Sequence, residues 1–213
     1  MGYPELLRMT DPASRKGFLF IISGPAGSGK TTICDGLIEL EGLQRIITTT
    51  TRSPRLGEIE GRDYYFCSRS EFEKKISEEA FYEYATVHNH YYGTQRSAIL
   101  EPILAGEHRM LNIDVQGAQT IRDKARQDPA LVGQVVSIFV MPPSLDVLKE
   151  RLQGRGTDSA AEIERRLKVA EAEIKQHSSY DHCIHSDTKA KDLANMRSLY
   201  QATLAGNNLN CDH

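Results

Sequence analysis

An α/β fold, a parallel sheet covered by helices on both faces, is predicted by three observations. The apolar run Phe18-Leu19-Phe20-Ile21-Ile22 passes at once into the glycine-rich turn Ser23-Gly24-Pro25-Ala26-Gly27-Ser28-Gly29-Lys30-Thr31, and a helical pattern with Ile33, Leu37 and Ile38 follows, ending near Gly42. Two further apolar runs, at residues 109 to 113 and 135 to 140, are each followed by a helical segment, opening near Gln116 and Ser144. The 213-residue chain is 39% hydrophobic and 26% charged, which suits one large domain or one domain with an inserted subdomain. Strands alternating with helices imply parallel pairing with both sheet faces buried.

Between residues 48 and 96 the texture changes, because six of the nine tyrosines fall between Tyr64 and Tyr92 among short strand-like pieces. An inserted subdomain is expected there. Its helix is expected to open on the capping box Ser70-x-x-Glu73 and to bury Phe72 and Ile76. Residues 96 to 106 also read as a helix, which Pro102 should kink or end. The run Gly154-Arg155-Gly156-Thr157-Asp158 is a charged interruption, after which Ser159-x-x-Glu162 caps a helix with Ile163, Leu167, Ala170 and Ile174 on one face. A strand near 182 to 185 and a helix from about Ala190 to Leu204 complete the order. The expected division is an extension over 1–17, a core over 18–47 and 97–205 with a lid at about 151–166, the inserted subdomain over 48–96, and a tail over 206–213.

The balance of 26 basic against 29 acidic residues leaves a net charge of −3, so the chain lacks the broad positive field that nucleic acid or an anionic membrane surface requires. A phosphate ligand must then be held by a few focused basic groups. No apolar run approaches the roughly 20 residues of a membrane span. The first seventeen residues mix Glu5, Arg8, Asp11, Arg15 and Lys16 without a signal-peptide core, so a cytoplasmic location is expected. Cys34, Cys67, Cys183 and Cys211 lie far apart and read as reduced thiols. His88-Asn89-His90 is weak evidence for a metal, because no further spaced ligand accompanies it.

Gly24-x-x-x-x-Gly29-Lys30-Thr31 fits the phosphate-loop pattern, in which glycines let backbone N–H groups converge on a di- or triphosphate at a helix N-terminus. Lys30 would reach the β- and γ-phosphates, and the Thr31 hydroxyl would contact Mg²⁺. In Thr48 to Glu58, Pro54 stiffens a loop that carries Arg52 and Arg55, guanidinium groups suited to a second phosphate. Tyr64, Glu83 and the Tyr91-Tyr92-Gly93-Thr94 turn stand beside that loop in the chain.

Taken in order, Ser23 to Thr31, Thr50-Thr51-Arg52-Ser53-Pro54-Arg55-Leu56-Gly57-Glu58, Gly61-Arg62-Asp63-Tyr64-Tyr65-Phe66, Tyr91 to Thr94, Ile113-Asp114-Val115-Gln116-Gly117-Ala118 and Arg151-Leu152-Gln153-Gly154-Arg155-Gly156-Thr157 resemble the guanylate kinase family, from about Phe18 to Tyr200. The resemblance implies a core, an inserted GMP-binding subdomain at 48–96 and a small lid. It implies that Gly24, Pro25, Ala26, Gly27, Ser28, Gly29, Lys30, Thr31, Thr32 and Ser186 hold ATP, and that Arg52, Arg55, Tyr64 and Tyr92 hold the GMP phosphate, with Glu58 beside them. Glu83 and Thr48, helped by Thr94 and Asp114, would read the guanine, whose N1 and N2 donors suit a carboxylate; the family usually has serine at Thr48. Lys30, Arg52, Arg151, Arg155 and Arg166 would neutralise charge during transfer.

Two positions depart from the family pattern. Asn112 stands where an acidic residue is common, leaving Thr31 and, through a water, Asn112 as the expected Mg²⁺ contacts. If the strand is regular, residues 112 and 114 share a face. His185-Ser186-Asp187-Thr188 replaces a Val-Asn-Asp-Asp segment, which leaves the donor base open. The expected activity is transfer of the γ-phosphoryl of ATP to GMP with Mg²⁺ as cofactor, by a monomer or homodimer without nucleic-acid or membrane partners. The alternatives are a non-catalytic guanylate-kinase-like interaction module, disfavoured by the intact Lys30 and Thr31, and a kinase of another nucleoside monophosphate, disfavoured by Glu83.

Overall fold

The computed structural model describes residues 16–87, 89–154 and 159–206. In chain order the elements are β1 (Leu19–Ser23), α1 (Lys30–Glu41), β2 (Gln44–Arg45), β3 (Thr49–Thr50), β4 (Tyr65–Phe66), α2 (Arg69–Ser77), β5 (Phe81–Val87), β6 (His90–Gln95), α3 (Arg96–Leu104), β7 (Arg109–Asn112), α4 (Val115–Ala125), β8 (Val135–Met141), α5 (Leu145–Gln153), α6 (Ala160–Ile174), a 3-10 turn (His177–Ser179), β9 (His182–His185) and α7 (Lys189–Leu204). One sheet has five strands in the order β2-β7-β1-β8-β9, and a second has four in the order β4-β3-β6-β5. The pairs β2·β7 and β8·β9 are parallel, whereas β5·β6 and β3·β6 are antiparallel.

Every residue of β1 is buried, including consecutive Leu19, Phe20, Ile21 and Ile22. Neighbours on a strand point to opposite faces, so an unbroken buried run means that both faces are covered, as expected of a parallel sheet between helices.

The chain divides into two compact units. In the first, which holds residues 44–111 and 116–135, Phe72 of α2 stacks on Phe81 at 4.3 Å and on Tyr91 at 5.1 Å between ring centroids, and these rings form the floor under the four-stranded sheet. In the second, α1 meets α7 where Gly36 faces Leu193, so closely that a β-carbon at 36 would lie 2.6 Å from a leucine methyl. There too α5 and α6 close over Leu148, Leu152, Ile163 and Ala170.

The cap at Ser159 is as expected, and Ser144 caps α5 in the same way, each hydroxyl accepting from the N–H three residues on. The cap of α2 is corrected by one step of two residues. Ser68 and Glu71 form the reciprocal box, and Ser70 lies inside the first turn. Both frames satisfy the pattern; Ser68 wins because Cys67 is still bonded to Thr50 as an extended residue, and Ser68 keeps extended angles before the helix begins. Pro102 sits in the last turn of α3, which ends two residues later at Leu104. The shared face of residues 112 and 114 is also corrected. β7 ends at Asn112, and Asp114 belongs to the link that turns into α4, so strand alternation does not relate them. Residues 1–15, His88, the stretch 155–158 that contains Arg155, and 207–213 lie outside the described residues.

Candidate functional site

In the second unit, β1 delivers the chain into the glycine loop and α1 leaves it. Gly24 has φ +134°, and a β-carbon there would come within 2.5 Å of the Val140 carbonyl oxygen, so only glycine lets the turn lie against β8. Gly29, at φ +110°, is the N-cap residue of α1 and supplies no side-chain cap. The first-turn N–H groups are therefore directed at the loop, where an anion can satisfy them. The Lys30 ammonium folds back over the same loop, donating to the carbonyls of Gly24 at 2.6 Å and Pro25 at 2.8 Å. Arg151 of α5 donates to the Gly27 carbonyl at 3.2 Å. The Ser28 hydroxyl is buried and has no hydrogen-bond partner among the described residues. A cavity of about 420 Å³ opens here, lined by Gly27, Lys30, Thr31, Arg151, Ser186 and Asp187 among others.

At the far wall of that cavity Asp192, 5% exposed, accepts from the Ser186 hydroxyl and from the Asp187 N–H, each at 2.8 Å. Ser186 is thus fixed by a carboxylate on the first turn of α7. On another side the Asn112 amide nitrogen stands 3.5 Å from the Thr31 hydroxyl. Glu173 of α6 was not singled out in the sequence, yet its carboxyl is close enough to feel the charges of Lys30 and Asp114. Burial pushes it up, Lys30 opposes that rise, and Asp114 adds to it. The signal available was its spacing, since 166, 170 and 173 fall on one helix face beside the buried Ala170.

Arg166 of the same helix donates to Glu162 at 3.0 Å. Arg165 also binds Glu162, and the two guanidinium groups, Arg165 first, hold the Glu162 carboxyl down at about 2.

The first unit holds the other expected residues. Glu83 on β5 and Thr94 on β6 are paired across the ladder, 3% and 0% exposed, and the threonine hydroxyl donates to Glu83 Oε1 at 2.7 Å. A carboxylate offers only acceptors, so this pair suits N–H donors and not a further acceptor. Arg52, Glu58, Tyr64 and Tyr92 also come together. Arg52 donates through Nη2 to both Glu58 oxygens at 2.8 and 2.9 Å and through Nε to the Tyr92 hydroxyl at 3.1 Å. Its guanidinium lies 5.4 Å from the centroid of the Tyr64 ring, which meets Tyr92 edge-on at 6.0 Å.

Burial alone would raise the Glu58 carboxyl; the hydrogen bonds from Arg52 and from the Arg55 N–H outweigh it and hold it below its usual range. Glu58 thereby ties Arg52 to the loop of Arg55, whose side chain is exposed. Thr48 gives its carbonyl to the Tyr65 N–H, which fixes β4 beside it.

The first unit thus holds eight acceptor-side candidates, Thr48, Arg52, Arg55, Glu58, Tyr64, Glu83, Tyr92 and Thr94, while Asp114 belongs to the second unit. A purely protein-built metal cluster of three or more His, Cys, Asp or Glu side chains is absent among the described residues. None of their helices is long and apolar enough to cross a membrane.

Comparison with known proteins gives a consistent result. The family model described as guanylate kinase matches residues 16–203. A guanylate kinase of Neisseria meningitidis serogroup A is 44% identical over 191 residues, 89% of this chain and 90% of that protein. One from Caldanaerobacter subterraneus subsp. tengcongensis is 40% identical over 186 residues, 87% of each chain. Among solved structures, a guanylate kinase from Anaplasma phagocytophilum superimposes with a TM-score of 0.70 at 31% identity, covering 89% of this chain and 87% of that one.

Proposed function

The chain belongs to the guanylate kinase family, and from that premise we propose how its residues divide the transfer of a γ-phosphoryl group from ATP to GMP, giving ADP and GDP. The observation that carries the acceptor assignment is the buried Glu83 carboxylate held by Thr94. Guanine presents N–H donors at N1 and N2 to such an acceptor, whereas adenine presents an acceptor at N1, so the wrong base leaves buried groups unpaired. Thr48 and Thr94 complete this reading of the base.

The acceptor phosphate is held by Arg52 with the hydroxyls of Tyr64 and Tyr92, and Glu58 fixes the Arg52 guanidinium through Nη2 so that little side-chain freedom is lost on binding. Arg55 adds a second cation from the same loop. On the donor side the loop amides and Lys30 bind the β- and γ-phosphates, Thr32 and Ser186 border the nucleotide, and Arg151 supplies a further positive charge. As a GMP phosphate oxygen forms its bond to the γ-phosphorus, the bond to the β-bridging oxygen breaks and ADP leaves with that electron pair. Little covalent chemistry is asked of the protein; positioning and charge neutralisation do the work. Arg166, and Arg155 outside the described residues, would contribute cations to this step.

The donor set fits Mg²⁺, a hard ion that prefers oxygen and takes few ligands from the protein. Thr31 would hold it through its hydroxyl, and Asn112, whose amide nitrogen stands beside that hydroxyl, would help orient the ion's water shell through its amide oxygen. The ion neutralises phosphate charge when bound with ATP. We expect Asn112→Asp to lower the Mg²⁺ concentration needed for half-maximal rate by a few-fold, with the apparent GMP affinity unchanged. A Mg²⁺ titration of both proteins at saturating nucleotides checks this, and identical curves would remove position 112 from metal tuning.

The overall reading is tested by supplying ATP and Mg²⁺ with GMP, dGMP, AMP, UMP or CMP and following ADP release. GMP should be used fastest; AMP or UMP outrunning it would overturn the assignment.

A further inference from the structure

The β5·β6 ladder runs one to one from Val87↔His90 to Glu83↔Thr94, but the next pair is Phe81↔Gln95. Two residues of β5 there advance against one of β6, so Tyr82 is the extra residue of a β-bulge immediately beside Glu83. Had the Phe81↔Gln95 register continued, Tyr82 and not Glu83 would stand opposite Thr94, and a one-residue slip exchanges the faces of a strand. Something must select between the two registers.

Tyr82 is 1% exposed and is held at three points in the same compact unit. Its carbonyl accepts from Lys124 Nζ of α4 at 2.8 Å. Its hydroxyl donates to Asp128 Oδ2 at 3.2 Å, and the other Asp128 oxygen is occupied by the Ala130 N–H at 2.9 Å. The Arg96 guanidinium lies 5.4 Å from its ring centroid. One residue upstream of the bulge pair, the Ala80 carbonyl accepts from the Arg96 N–H at 2.8 Å. A phenylalanine would fill nearly the same space. The hydroxyl's distinctive contribution is a bond to a buried carboxylate that is itself fixed, and such a bond specifies position more than it adds stability.

We propose that Tyr82 is a positioning residue for guanine recognition: its tethers to Lys124 and Asp128 lock the bulged register of β5 and so hold the Glu83 carboxylate at the angle the base requires. The inference rests on the reading of Glu83 as the guanine acceptor. A small rotation at the bulge weakens the second of the two N–H bonds more than the first, because a carboxylate must meet both donors at once.

IMP lacks the 2-amino group and keeps N1–H, so the ratio of kcat/KM for GMP to that for IMP reads the bond that this lock protects. Tyr82→Phe should raise the KM for GMP about three- to tenfold and lower the GMP:IMP ratio by a similar factor, with the KM for ATP unchanged. Lys124→Met, which removes the second tether from an exposed side chain, should move the ratio the same way and carries the test if Tyr82→Phe does not fold. Glu83→Gln is the control. If it lowers the ratio while both tether variants leave it at the parent value, the register lock is overturned. If the tether variants lose GMP and IMP activity equally alongside a lower Tm, the residues are structural and the lock is again overturned. If Glu83→Gln itself leaves the ratio unmoved, the guanine reading of Glu83 falls and the lock falls with it.

Discussion

Lys30→Met is expected to lower kcat by about 10³-fold while leaving the KM for GMP within about twofold. The ammonium lies over the glycine loop, bound to the carbonyls of Gly24 and Pro25, at the place where the helix N-terminus and the loop amides converge. A methionine has nearly the same length and no charge, so what it removes is the cation beside the migrating phosphoryl group. Two loop carbonyls lose a donor, which costs about 1–3 kcal/mol and a few degrees of Tm without altering the circular dichroism spectrum. The positive potential of the loop is only partly lost, because Arg151 donates into it from α5; ATP should therefore still bind, and the deficit should fall on turnover. Lys30→Arg should also be poor, since a planar fork cannot occupy the place of a compact ammonium with three rotatable donors. A methionine variant that kept most of its kcat would exclude Lys30 from the transfer step.

What was legible in the sequence was what the backbone decides locally. The glycine loop is visible because Gly24 and Gly29 need positive φ within six residues of chain, and the Ser159 cap because a hydroxyl reaches the N–H three residues on. The Ser70 frame failed for the same kind of reason. Ser68 and Ser70 offer equivalent spacing, and the choice was made by the strand contact between Cys67 and Thr50, which is not local. The expected strand alternation at Asn112 and Asp114 failed because the chain had already left the sheet to enter α4.

Contacts that join distant segments left still less trace. Glu173 lies far along the chain from Lys30, and the Tyr82–Asp128 bond spans 46 positions. Nothing in the composition of either segment announces the other. The reading of an acceptor pocket came only from residues that recur in a recognisable order; alternating polar and apolar residues in β5 would by themselves have marked Glu83 as one more exposed charge.

Glu83→Gln is expected to reduce kcat/KM for GMP by about 10²- to 10³-fold and to leave the KM for ATP within about twofold. The substitution keeps the shape of a side chain that is 3% exposed, so the packing around β5 and β6 is preserved. It removes the charge and changes the pattern of donors and acceptors. The carboxylate accepts from Thr94 through Oε1 and presents acceptors alone; the amide has one acceptor and a pair of donors. If the amide oxygen stays with Thr94, both guanine N–H groups face N–H groups. If the amide turns over, one guanine bond is recovered and the threonine hydroxyl must rotate to accept instead of donate, losing its former partner. Either arrangement leaves a buried donor unpaired, which costs about 1–3 kcal/mol for each group affected. The same donor and acceptor pair matches the N1 and N6 edge of adenine, so AMP should be discriminated against less strongly in the variant than in the parent. Steady-state kinetics with GMP and AMP, run beside a thermal melt, separate the possibilities: a parent-like Tm with a loss confined to GMP places Glu83 at the base, whereas an equal loss for both nucleotides with a large fall in Tm would make the Glu83–Thr94 pair a structural feature of the sheet.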